Sequence, residues 1–101
     1  MEYILVEHSG CEADEAERVY SELDEGRQER RRVEFTPHGL CFAYGGEHGH
    51  EEVLQREPFP ENLRDLEPDE DTKAYHIRRA VFFEVWNHAA ESPDNFMELF
   101  F

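Results

Sequence analysis

The residue types that bind transition metals occur together in one short segment, Gly46-Glu47-His48-Gly49-His50-Glu51-Glu52. Imidazole nitrogens and carboxylate oxygens are ligands for zinc, nickel and copper. His48 and His50 are only two residues apart in a glycine-rich loop, and no further His or Cys follows at a familiar ligand spacing. A solvated acidic loop is therefore our main interpretation, and we predict no metal and no cofactor. A metal-binding module, or a small metal-dependent enzyme that uses the 47–52 loop, is kept as an alternative.

Acid–base or nucleophilic catalysis would need residues held in a pocket beside a base. Glu7-His8 follows an apolar run, but an ordinary strand-end pair explains it. Neither Cys11 nor Cys41 stands beside a motif that supplies a base, no serine occupies a nucleophile elbow, and the glycines do not match a phosphate loop. We predict that the protein is not an enzyme and that both cysteines are free thiols, with Cys41 packed inside.

The charge of the chain is its most informative global property. Its 25 Asp and Glu against 10 Lys and Arg give a formal net charge of −15. This field repels phosphate backbones and attracts basic surfaces, so nucleic-acid binding is not expected. Clustered acids also cost stability through self-repulsion. A basic protein partner, such as a toxin or nuclease domain, would account for that cost.

The candidate partner-binding residues are carboxylates at a predicted turn and in the acidic segment between residues 47 and 71. They are Glu22, Asp24, Glu25, Glu47, Glu51, Glu52, Asp69, Glu70 and Asp71. The run of Arg27, Arg30, Arg31 and Arg32 could suggest a phosphate patch. We interpret it instead as one side of cross-strand ion pairs with the acids of the preceding strand.

The elements that must hold these residues form one domain over residues 1–101, because a chain of this length has room for a single core. Alternating apolar residues predict strands at 3–7, 19–23, 27–35 and 40–44, the first of them central. Turns are expected at Asp24-Glu25-Gly26, with Gly26 left-handed, and at Pro37-His38-Gly39.

One major helix is predicted from Phe82, Val85, Trp86 and Ala89, which recur at i, i+3, i+4 and i+7. Between residues 47 and 71 at most one helical turn is expected, at 62–66. The fold class is α+β, a mainly antiparallel four-stranded sheet with this helix on one face. Residues 92–101 are predicted to form a short helical extension that begins at Ser92.

The aromatic residues of that extension, Phe96, Met97, Leu99, Phe100 and Phe101, need cover. Packing on the sheet is the preferred explanation. A homodimer through these aromatics, in a structural or adaptor module, is the alternative. We expect a cytoplasmic protein that does not contact the membrane, since no segment approaches the roughly 20 apolar residues of a span and the start lacks the pattern of a secretion signal.

Several strings resemble a family of small acidic bacterial domains of unknown function, over most of residues 2–90. They are Tyr3-Ile4-Leu5-Val6-Glu7, Val19-Tyr20-Ser21-Glu22-Leu23-Asp24, Arg32-Val33-Glu34-Phe35, Phe59-Pro60, and Phe83-Glu84 followed by Trp86. Tyr-Ser-Glu-Leu-Asp at 20–24 is the most distinctive. Such domains are similar to immunity proteins that neutralise a toxin. The resemblance implies a non-enzymatic inhibitor that binds a basic toxin or nuclease domain.

Overall fold

The computed structural model describes residues 1–12 and 15–90. Within these ranges the chain forms five strands, β1 (Glu2–His8), β2 (Arg18–Leu23), β3 (Glu29–Phe35), β4 (Cys41–Gly45) and β5 (Thr72–His76), and one helix, α1 (Arg79–Ala90). Short 3₁₀ turns occur at Gly46–His48, Glu51–Val53 and Leu63–Leu66. The predicted turn near 62–66 is thus confirmed, and the Asn62 side chain caps it by accepting a hydrogen bond from the Arg64 backbone N–H.

The strands form one antiparallel sheet in the order β4-β3-β2-β1-β5. The α+β class and the central position of β1 are confirmed, but the prediction of four strands is wrong. β5 was missed because it is short and half polar: Thr72 and Ala74 are buried, whereas Lys73, Tyr75 and His76 are exposed. An edge strand of this kind carries little of the apolar alternation that identifies a strand.

Helix α1 covers one face of the sheet. Tyr3 of β1, Tyr20 of β2 and Val33 of β3 point to this face and pack against Phe82 and Trp86. The spacing of Phe82, Val85, Trp86 and Ala89 predicted this contact correctly, and the helix is longer than predicted by three residues at its start and one at its end. Aromatic rings supply most of this core, as a small domain requires.

The opposite face carries a second core, in which Ile4 and Leu23 are fully buried beneath Phe59. Phe59 belongs to the long acidic connection between β4 and β5. This connection therefore packs on the face of the sheet opposite α1. Arg27 holds it in place: its guanidinium donates to the Phe59 carbonyl at 3.0 Å and to the Pro60 carbonyl at 2.7 Å, and it also pairs with Glu2.

The β2–β3 turn differs from its prediction in the residue that takes the left-handed conformation. Arg27, with φ of 62°, takes the left-handed conformation that was predicted for Gly26. Its three hydrogen bonds hold Arg27 in a conformation that a non-glycine residue seldom adopts. In the second turn, Gly39 has φ of 84°, as its position after Pro37-His38 indicates.

Neither Cys11 nor Cys41 forms a disulfide, as predicted, and Cys41 is buried. The predicted helical extension at 92–101 lies outside the described residues. Among the helices of the described ranges, none has the length and apolar character needed to cross a membrane.

Candidate functional site

A groove of about 300 Å³ opens at the end of the sheet where β1 ends and β2 and β5 begin. Antiparallel pairing brings these ends together, since His8 lies opposite Thr72 and Glu7 lies opposite Arg18. The lining residues come from the loop after β1 and from the loop before β5. They are His8, Ser9, Gly10, Cys11, Glu15, Ala16, Asp69, Asp71 and Thr72.

One wall of the groove is held by hydrogen bonds to Asp69. Its Oδ1 accepts from the Asp71 backbone N–H at 3.0 Å and from the Thr72 hydroxyl at 2.9 Å. Because the Thr72 hydroxyl gives its proton to Asp69, its oxygen accepts from His8 Nδ1–H at 3.2 Å. The two loops are also joined by a bond from the Ser9 N–H to the Asp71 carbonyl at 2.8 Å. The wall is therefore ordered by the backbone before any ligand binds.

The groove carries negative charge that is not neutralised by a direct ion pair with a described Lys or Arg. Its lining includes the carboxylates of Glu15, Asp69 and Asp71, and Glu70 is exposed beside them. Across the described ranges, no Lys or Arg forms an ion pair within 4.0 Å of these four carboxylates. Three of the predicted contact residues, Asp69, Glu70 and Asp71, are thus brought together here.

The thiol in this groove is a poor nucleophile. Cys11 Sγ donates to the carbonyl of His8 at 3.2 Å and to that of Ala16 at 3.7 Å. Burial raises the pKa of Cys11, and the negative charges of Glu15 and Glu17 raise it further. Since the thiolate is the reactive form, this environment does not favour nucleophilic catalysis.

The carboxylates of the β2–β3 hairpin, at the other end of the sheet, have different surroundings. Glu22 is only 1% exposed, and its carboxylate accepts from Arg31 at 2.6 Å. It points to the helix face of the sheet, opposite Tyr3 and Arg31 in the strand register. Because a buried and paired carboxylate is poorly available to a partner, its position favours a structural role for Glu22.

Asp24 is used within the hairpin turn. Its Oδ1 accepts from the backbone N–H groups of Gly26 at 2.9 Å and Gln28 at 3.0 Å, and its Oδ2 accepts from Arg30 at 2.8 Å. These bonds hold the pKa of Asp24 below its ordinary value, the largest contribution being the bond from the Gln28 N–H. Asp24 is therefore a turn-stabilising residue.

Glu47 is exposed, yet it also has internal partners. Its carboxylate accepts from Trp86 Nε1 at 3.2 Å and lies 3.6 Å from Arg31. Its own backbone N–H contributes most to lowering the pKa of Glu47, followed by the Trp86 bond. Arg31 lies over the Trp86 ring at 5.4 Å, so Glu47 completes a cluster that joins α1 to the sheet.

Residues 2–91 match a family model described as a domain of unknown function, DUF6881. The chain belongs to this family. It matches no curated protein and no solved structure.

In this DUF6881 domain, the string Tyr20-Ser21-Glu22-Leu23-Asp24 has structural roles. Tyr20 and Leu23 enter the cores on opposite faces of the sheet. Ser21 donates to Glu29, Glu22 pairs with Arg31, and Asp24 caps the turn. Each residue of this string therefore has a role within the fold.

Glu29 is a key residue of the DUF6881 domain that the sequence reasoning missed. Its side chain is fully buried and accepts from the Ser21 hydroxyl at 2.6 Å, from Arg32 Nη2 at 2.7 Å and from the Gln55 backbone N–H at 2.9 Å. A register shift between Glu22 and Leu23 changes the pairing at this point. No sequence signal indicated this ion pair or its burial, because residues three apart in a regular strand, such as Glu29 and Arg32, lie on opposite faces.

The metal-ligand segment is dispersed in the fold. The His48 ring packs against Trp86 at 5.1 Å, whereas His50 packs against Tyr44 and lies 3.5 Å from the exposed Glu52. Among residues 1–12 and 15–90, no three His, Cys, Asp or Glu side chains are grouped so as to hold a metal ion. The structure therefore adds no support to the metal-binding alternative.

Proposed function

We propose that this DUF6881 domain is a non-enzymatic, acidic protein-binding domain of the immunity-protein kind, which neutralises a basic toxin or nuclease domain. The observation that carries the proposal is the groove at the end of β1, β2 and β5. Glu15, Asp69 and Asp71 line it, and no described Lys or Arg forms an ion pair with them. The proposed site of action is the bacterial cytoplasm.

The groove suits a Lys or Arg side chain of the partner. Carboxylates in a concave site, shielded from part of the solvent, attract a cation more strongly than carboxylates on an open surface. The ordered Asp69–Thr72–His8 wall also lowers the entropy lost on binding. The net charge of −15 would accelerate the encounter with a basic surface, most strongly at low salt.

The geometry divides the predicted contact residues into three groups. Asp69, Glu70 and Asp71 form the centre of the proposed interface, and Glu15 joins them. Glu25, Glu51 and Glu52 are exposed at the opposite end of the sheet and serve as a secondary acidic surface. Glu22, Asp24 and Glu47 each pair with an arginine of β3 and contribute to stability instead.

The first test is for a cognate basic protein. The chain is co-expressed with the polypeptide encoded by the reading frame next to its own gene, in a host that this polypeptide alone inhibits. We expect growth to be restored and a one-to-one complex to be purified, with an affinity that falls as salt is raised from 50 to 500 mM. Unrelieved growth inhibition together with no complex at the lowest salt would contradict the proposal.

A further inference from the structure

The turn that follows β4 lies against the single tryptophan of the chain. Trp86 is only 2% exposed, although no residue of the Gly46–His48 turn is itself buried. The Glu47 carboxylate accepts from the indole N–H at 3.2 Å, and the centre of the His48 ring lies 5.1 Å from that of the Trp86 ring. A short exposed segment therefore contributes to the cover of the indole. We define residues 46–50 as the lid.

The backbone of the lid is costly to hold in one conformation. Gly46, Gly49 and His50 have φ of 54°, 68° and 56°, and Gly45, directly before the lid, has φ of 88°. Glycine loses more conformational freedom on ordering than any other residue, and a residue such as His50 seldom adopts a left-handed conformation. Release of the lid would therefore recover conformational entropy and relieve strain at His50.

The closed lid also leaves a buried donor without an acceptor. The Nε atom of Arg31 is buried and has no hydrogen-bond partner among the described residues. Gly46 lies directly against it, since a Cβ atom at residue 46 would be 2.7 Å from this nitrogen. The guanidinium is held in place, because Nη1 donates to Glu22 at 2.6 Å and the group lies 5.4 Å from the centre of the Trp86 ring. A buried donor without an acceptor disfavours the closed state, and opening would give Nε access to water.

The contacts that hold the lid closed are weak, whereas its two ends are fixed. The Glu47 carboxylate lies 3.6 Å from Arg31, but the Glu47 side chain is 63% exposed, and exposed ion pairs contribute little to stability. Before the lid, Gly45 is buried as the last residue of β4. After it, the Gln55 backbone N–H donates to the fully buried carboxylate of Glu29 at 2.9 Å. The residues between these two attachments can therefore move while the strands stay in place.

We infer that residues 46–50 open as a unit, with the sheet intact, and expose Trp86 and the guanidinium of Arg31. The bond from the Gly45 N–H to the Gly49 carbonyl, at 2.6 Å, links the two sides of the segment and favours its movement as one body. Tryptophan and arginine are enriched at the centres of protein–protein interfaces, so the open lid presents a contact surface that the closed lid hides. This motion concerns a different part of the molecule from the acidic groove and does not depend on the proposed function.

The test measures acrylamide quenching of the Trp86 fluorescence in the full-length chain. We expect weak quenching in the wild type and an at least threefold larger quenching constant in Gly46→Ala, because the added Cβ would meet Arg31 Nε. Gly39→Ala is the matched control. Residue 39 also has a positive φ, 84°, but a Cβ there would meet nothing within 4 Å, so its quenching constant should equal that of the wild type.

A second variant, Glu47→Ala, removes the contact with the indole N–H and introduces no new atom. We expect its quenching constant to rise at least twofold, whereas Glu61→Ala, at another exposed acid of the β4–β5 connection, should leave the constant unchanged. If Gly46→Ala does not fold, Glu47→Ala decides the test alone.

Circular dichroism of each variant shows whether the sheet is intact. Increased quenching in the lid variants with a wild-type spectrum is the expected result. Wild-type quenching constants in the folded lid variants would overturn the inference. Increased quenching in Glu47→Ala that is accompanied by loss of the sheet signal would also overturn it, because the lid would then open only when the whole domain unfolds.

Discussion

The two ends of the sheet carry similar numbers of acids in opposite electrostatic settings. At the β2–β3 hairpin, Glu22, Asp24 and Glu29 each have an arginine partner within 3 Å, and two of the three are buried. At the groove, Asp69 and Asp71 are exposed, and no described cation pairs with them. The same residue type therefore stabilises the fold at one end and remains available for binding at the other.

The arginine run of β3 explains the difference. Arg30, Arg31 and Arg32 alternate across the strand and reach acids on both faces of the sheet. The loops at the groove contain no comparable run. Local charge balance, more than the number of carboxylates, thus distinguishes structural acids from candidate binding acids.

The largest effect is expected from Glu29→Ala, because it leaves the Ser21 hydroxyl and the Arg32 guanidinium without their buried acceptor. Breaking a buried ion pair by removing one partner costs about 3–5 kcal/mol in the free energy of unfolding. Urea denaturation measures this loss. Glu84→Ala, at an exposed helix position, is the control and should change stability by less than about 0.5 kcal/mol. Equal losses in the free energy of unfolding for the two variants would contradict the distinction between structural acids and exposed acids.

A smaller loss, about 2 kcal/mol, is expected from Glu22→Gln. The neutral amide still accepts a hydrogen bond from Arg31. The charge of Arg31 also still has an ionic partner, because the Glu47 carboxylate lies 3.6 Å from its guanidinium. Denaturation of the variant in urea gives the value, and its affinity for a basic partner should match that of the wild type. If the variant were as stable as the wild type but bound the partner more weakly, Glu22 would be a contact residue.

Asp24→Asn should be destabilising in a pH-dependent manner. The pKa of Asp24 is lowered in the folded state, so its charge contributes stability above the ordinary aspartate pKa of about 4 and loses it as the pH falls through the folded value. Thermal melts of the wild type and variant should differ near pH 7 and converge as the pH falls through the lowered pKa of Asp24. If the difference in melting temperature between the two proteins were equally large in acid, the destabilisation would have a cause other than the charge of Asp24.

The smallest effect is expected at Cys11. Glu15→Gln removes one of the charges that raise the pKa of this thiol, whereas burial, the larger cause, remains. Alkylation by iodoacetamide at pH 8 should therefore become faster by on the order of twofold. Peptide mapping by mass spectrometry measures the rate at Cys11 separately from the buried Cys41. Glu57→Gln, distant in sequence and absent from the groove lining, should leave the rate unchanged.

The sequence was sufficient for the elements with strong periodicity. The helix over Phe82 to Ala89, the central β1 and the hairpin around Asp24 are all as their patterns indicate. It was insufficient for β5, because an exposed edge strand has weak alternation. It was also insufficient for Glu29, since its burial depends on a register shift that no local pattern encodes.

The same limit applies to the candidate site. Charge alone indicates Asp69, Glu70 and Asp71 as candidates, and no local pattern places them beside Glu15, 54 to 56 residues away along the chain. Their proximity results from the antiparallel pairing of β1 with β5. Which acids are neutralised is a tertiary property, and it separates Glu22 from Asp71 although both are ordinary acidic residues in the sequence.

The central claim is that the groove acids bind a basic partner, whereas the hairpin acids that are paired with arginines do not. It is tested most directly with the triple variant Glu15→Gln, Glu70→Gln and Asp71→Asn, compared with Glu57→Gln, Glu61→Gln and Glu84→Gln, which removes the same charge from other exposed positions. The measurement is calorimetric affinity for the partner at several salt concentrations. We expect the groove variant to lose at least about tenfold in affinity and much of its salt dependence, while the control retains both. Equal losses in the two variants would show that only the overall charge matters and would contradict the account.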